Sequence, residues 1–152
     1  MAAGVTYVPL ATTTLGSSTA TVTLSSISGS YTDLICVITR KTGSSVYEDM
    51  RMQINGDTGN SYSTTTVAGW STSSVESLRY SNYSSSVFVD ADAYSSKTAN
   101  YYNPIIIQLM NYSNSSTYKT WLVRGGNTEQ GVEAMVGLWR SKSAIKIGRA
   151  HV

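Results

Sequence analysis

Charge is what this sequence has least of. Asp, Glu, Lys and Arg together make up 13% of its 152 residues, about half the usual share of roughly 25%. Histidine is scarcer still: the single His151 stands next to the C-terminal residue. A Ser-His-Asp or Cys-His arrangement therefore has no general base in the body of the chain, and an imidazole zinc site has no ligand there. The one cysteine, Cys36, excludes an intrachain disulfide. Set within Leu34-Ile35-Cys36-Val37-Ile38, it reads as a small buried hydrophobe rather than a reactive thiol. No apolar run approaches the eighteen or so residues of a membrane span. The N-terminus lacks the basic start and apolar core of a signal peptide, so the sequence predicts no export by the standard route. Sustained 3.6-residue periodicity is missing too, which limits helix to a turn or two.

What is present is Ser, Thr, Gly and Asn in abundance, and 11 tyrosines against one phenylalanine. A neutral, hydroxyl-rich surface of this kind is common on extracellular and virion β-proteins, and it suggests burial in an assembly rather than reliance on charge repulsion. A protein made in a cytoplasm and released by lysis reconciles that surface with the missing signal. The length suits a single domain with a proper core.

The central prediction is a β-hairpin over Pro104–Gly126. Two arms, Pro104 to Met110 and Tyr118 to Gly126, flank the polar connection Asn111-Tyr-Ser-Asn-Ser-Ser-Thr117. Period-two alternation places Ile105, Ile107 and Leu109 on one face with Val123, Trp121 and Lys119, and Ile106, Gln108, Met110, Leu122, Thr120 and Tyr118 on the other. Val132 to Leu138 is the natural neighbouring strand, its Val132, Ala134, Val136 and Leu138 alternating with Glu133, Met135 and Gly137.

Elsewhere, Thr19–Leu24 alternates as a half-buried strand and Leu34–Thr39 reads as a fully buried one. Met50–Ile54 has one wet face, Asn55–Asn60 is the strongest turn signal and is read as a hairpin turn, and a strand follows at Tyr62–Ala68. Residues 69–86 read as a Ser-rich connection in which Leu78–Tyr80 pairs weakly. Val87–Val89 is a short strand, and Asp90–Asn103 is a polar connection. Residues 1–18, with Pro9, read as an N-terminal arm or edge strand. About eight strands, with a truncated ninth beginning at Ala144-Ile145, predict an all-β, antiparallel β-sandwich or jelly-roll-like domain over residues 1–145.

Several stretches resemble a family of small tailed-phage structural proteins known mainly from marine and environmental genomes. They are Tyr7-Val-Pro-Leu-Ala-Thr-Thr-Thr-Leu-Gly16, Tyr31-Thr-Asp-Leu34, Ile54-Asn-Gly-Asp-Thr-Gly-Asn-Ser-Tyr-Ser63, Asn111-Tyr-Ser-Asn114 through Tyr118-Lys-Thr120, and Gly137-Leu-Trp-Arg-Ser141 with Ala144-Ile145. The resemblance spans essentially residues 5–145. It implies a non-enzymatic β-sandwich virion component, a head-decoration or tail- or fibre-associated protein, with other virion proteins and its own copies as partners. It supplies no catalytic residues. The similar sequences continue past this point through one or two further strands. Lys146-Ile-Gly-Arg-Ala-His-Val152, in contrast, back-translates through one allowed codon choice to the start of a sequencing adaptor. The expectation is that residues 146–152 are a non-native tail. Without Lys146 and Arg149, nine basic residues face nine acidic ones, and the case for a nucleic-acid partner disappears.

The remaining constellations are weak. Asp90 and Asp92 would point the same way on an extended chain, yet such a pair is ordinarily a solvated loop rather than a glycosidase couple. Asn55-x-Asp57-x-Gly59 starts like a calcium loop but has Asn60 and Thr66 where the EF-hand needs its Gly and Glu. No metal, cofactor, catalytic or membrane role is predicted. Trp70, Tyr80, Tyr83, Tyr94, Tyr101 and Tyr102 remain, aromatics set among polar connections. They fit an assembly interface, a platform for a host-surface glycan, or plain packing under long loops.

Overall fold

A computed structural model describes residues 7–40, 50–70, 74–83, 87–89, 102–127, 131–146 and 148–151, giving the backbone alone at Trp70, residues 87–89, Asn127, Ala150 and His151. The described chain is all-β. In order the strands are β1 (Thr21–Leu24), β2 (Leu34–Arg40), β3 (Met50–Ile54), β4 (Tyr62–Trp70), β5 (Ser74–Tyr83), β6 (Val87–Val89), β7 (Asn103–Met110), β8 (Lys119–Asn127), β9 (Gly131–Trp139) and β10 (Gly148–His151). They form a four-stranded sheet, β1-β10-β3-β6, and a six-stranded sheet, β2-β7-β8-β9-β4-β5, antiparallel throughout. The two sheets share one core. Met50, Met52 and Ile54 of β3 meet Ile105, Ile107, Trp121, Val123, Met135 and Trp139 of the larger sheet, the packing expected of a sandwich.

The β7–β8 hairpin stands inside the larger sheet in the register its alternation dictates, with Ile107 opposite Val123 and Leu109 opposite Trp121. Ile105, Ile107, Leu109, Lys119, Trp121 and Val123 are all buried. β9 lies beside β8 as expected, but its faces are reversed with respect to its apolar alternation. Glu133, Met135 and Gly137 point into the core, while Val132, Ala134 and Val136 point out. The cause is Trp121. Its indole lies over Gly137, the residue paired with it, and a Cβ at that position would overlap the ring.

Three further expectations are corrected. Leu34–Thr39 is not buried on both faces: β2 is an edge strand, and Ile35 and Val37 are exposed. Asn55 and Gly56, at φ 54° and 71°, form a tight left-handed turn. That turn carries the chain from one sheet to the other instead of closing a hairpin, since β3 and β4 lie in different layers. Finally, residues 74–83 are not a loop but the ten-residue strand β5, paired along β4.

The segment expected to be a tail supplies β10. It sits between β1 and β3, pairing Val22 with Ala150 and Ala150 with Met52. Gly-Arg-Ala-His offers no β-branched residue and no alternation, so ladder hydrogen bonds, not side-chain pattern, hold this position.

Candidate functional site

One end of the sandwich is tied shut. Asp57 accepts the Trp139 indole N–H at 2.6 Å through Oδ2 and the Gly59 amide at 2.8 Å through Oδ1. Burial raises the Asp57 pKa, but the hydrogen bonds from Trp139, Gly59 and Ser61 outweigh it and hold the carboxyl below its ordinary value. Tyr62, stacked on Trp139 at 6.5 Å, donates its phenol to the Asp57 carbonyl and accepts the Ile54 amide. Desolvation, together with the Asp57 charge, pushes that phenol up to about 12. Asn55 clamps the chain after Ser143, donating to the Ala144 carbonyl and accepting from the Lys146 amide, both at 2.8 Å. Tyr112 donates its hydroxyl to the Ser28 carbonyl, and Asn111 donates its amide to Asp33 Oδ1 at 2.7 Å. Lys119, fully buried, donates its ammonium to the Thr117 and Lys142 carbonyls, and desolvation lowers its pKa.

These residues belong to the stretches that carried the family resemblance, and here they lock loops together. Both Asp57 oxygens are engaged within the protein, so Asn55-Gly-Asp-Thr-Gly is a structural turn. No group of three or more His, Cys, Asp or Glu gathers among the described residues. Burial raises the Cys36 pKa and keeps it a thiol. Asp90 and Asp92 lie outside the described residues.

The six sequence-selected aromatics do not form one platform. Tyr94 and Tyr101 lie outside the described residues, and Trp70 ends β4. Tyr80 and Tyr83 belong to β5, correcting their placement in a loop. Three residues apart on a regular strand, they would face opposite ways. A bulge with Asn82 at φ 57° turns them to the same side. Their rings then meet edge to face at 5.5 Å, both half-buried, with Tyr83 packed on the core. Tyr102, just before β7, is exposed.

What composition did not foretell is the outer face of the six-stranded sheet. Ile35 and Val37 of β2, Val132 and Val136 of β9, Val67 of β4 and Val75 of β5 all project from it into solvent, Val75 at 84% exposure. Arg79 and Arg124 are its exposed charged residues on the described strands. Six strands about 4.8 Å apart, with residues spaced about 3.3 Å, span roughly 700 Å² in plane. A stable interface takes about 800 Å² per partner, so this face is of interface size. Where Gly126, paired with the outward Val132, leaves it without a side chain, a shallow open groove lies between Pro104, Ile106, Arg124 and Val132. The signal in the sequence was the doubly apolar strand, Val-Glu-Ala-Met-Val-Gly-Leu, which has no polar face to give to water.

No protein-family model, curated protein or solved structure matches the chain.

Proposed function

We propose that this protein is a non-enzymatic structural component of a bacteriophage particle, assembling through the outer face of its six-stranded sheet. The observation that carries the reading is that face. Six exposed aliphatic side chains share that face with Thr, Ser and Arg residues; apolar side chains grouped on one exposed face mark an interaction site, and these six are ones that binary patterning would bury. The low-charge, hydroxyl-rich composition and the family resemblance support placement in a virion. Sedimentation of the full chain at micromolar concentration tests the assembly. An oligomer that Val136→Glu dissociates is expected, and a wild type that stays monomeric overturns the reading. Recovery of the gene with its genomic neighbours tests the particle: it should lie among phage structural genes. Host-glycan binding through the aromatics ranks second, because Tyr80 and Tyr83 turn toward each other instead of presenting flat exposed rings. A glycan array on which Tyr102→Ala abolishes a signal would reverse that order.

A further inference from the structure

A second apolar surface lies uncovered on the same molecule. Residues 7–15 precede β1 with no regular secondary structure, and Tyr7, Val8, Leu10 and Leu15 are exposed at 67%, 51%, 47% and 52%. No hydrogen bond ties residues 7–18 to the other described residues. Not one charged residue occurs from Tyr7 to Ala20. An uncharged arm with its large apolar side chains in water is costly to leave bare, at about 25 cal/mol for each Å² of apolar surface.

We propose that this arm is an assembly element that docks in the outer-face groove of a neighbouring copy, between Pro104, Ile106, Arg124 and Val132. The inference rests on the assembly reading above and names what occupies that face. Four features fit arm to groove. The groove is shallow and open, with glycine backbone along its floor and the apolar side chains of Pro104, Ile106 and Val132 at its sides, so it offers an apolar seat for one side chain at a time. Arg124, the charge at its rim, meets an arm that brings no cation to repel it and carbonyl oxygens to accept its N–H groups. Pro9 holds the chain extended, which lowers the entropy lost on docking. Reach is long, since the fourteen residues from Tyr7 to Ala20 extend to at most about 46–50 Å. The arm leaves from β1, at the edge of the four-stranded sheet, whereas the groove opens on the far side of the other layer. A neighbour's groove is therefore the direct target, and the contact is head-to-tail, of the kind that closes rings or extends into arrays.

Disulfide trapping tests this. Leu10→Cys and Val132→Cys are purified separately as full-length chains, mixed and oxidised, with the wild type as the control for Cys36. The expected result is a mixed, reducible dimer that forms about tenfold or more faster than one between Leu10→Cys and Val75→Cys on the far edge strand, because a docked thiol is at high effective concentration. Equal rates overturn the proposal, and so does a Leu10→Cys/Val132→Cys double variant that closes its disulfide within one monomer. Sedimentation of the wild type separates the two readings. Oligomers without the selective cross-link reject the arm alone; a monomer without it rejects the arm and the assembly together.

Discussion

Gly137 and Trp121 show how one missing side chain sets the sheet. The indole fills the space a Cβ would need, so Gly137→Ala forces either the ring or β9 to move. Overpacking of this kind costs about 2–3 kcal/mol, and chemical denaturation should give a loss of that size. Gly69→Ala, on β4 with open space about its Cα, should change stability by well under 1 kcal/mol. Tyr62 supplies a second test. Its folded pKa of about 12 lies above the unfolded value of about 10. The neutral phenol therefore contributes stability that is complete below about pH 10 and is lost as pH rises toward 12. Melting temperatures across that window should fall less steeply in Tyr62→Phe than in the wild type. At neutral pH the variant should be about 1–3 kcal/mol less stable, because the Ile54 amide and Asp57 carbonyl lose their partner.

Elements whose two faces differ were legible before folding. The β7–β8 hairpin carries its own alternation, and Pro104 and the Gly125-Gly126 pair near its outer ends punctuate it; its register followed directly. β5 was not legible, because Ser-Val-Glu-Ser-Leu-Arg-Tyr-Ser-Asn-Tyr has too few apolar residues to alternate and is extended by pairing with β4. The turn at Asn55–Asn60 was legible as a turn and not as a crossing between layers. Its destination depends on Tyr62, Asp57 and Trp139 holding the two sheets at that point. β10 belongs to the same class, since its place between β1 and β3 depends on open ladder positions there. Removing residues 148–152 leaves β1 and β3 without that shared neighbour. The deletion should cost about 2–4 kcal/mol and lower the melting temperature by roughly 5–12 °C for a chain of this size, read by calorimetry on the shortened chain.

For the whole molecule the consequence is an imbalance between its two large-sheet faces: both carry large aliphatic side chains, and one core fills only the inner one. A charged residue at the outer centre distinguishes an interface from a tolerated surface. Val136→Glu should leave the monomer's stability within about 0.5 kcal/mol and abolish assembly by sedimentation. A stability loss without a change in assembly state would mean that the face serves the monomer alone. None of the aromatics selected from the sequence forecast this surface. They were chosen as loop residues, and the surface is built from aliphatic side chains on strands.

The sequence by itself determined that the chain is all-β, where the central strands run, and which residues of the β7–β8 hairpin share a face. Period two and turn chemistry are local, and local rules suffice for them. It did not determine which face of β9 or β2 would turn inward, because Val132, Ala134, Val136 and Leu138 compete with Met135, Gly137 and Trp139 for the same core. Only the tertiary structure decided that, through volume. Trp121 needs an empty position beside it, Gly137 provides one, and the alternation of the strand then carries Glu133, Met135 and Trp139 in and the valines out.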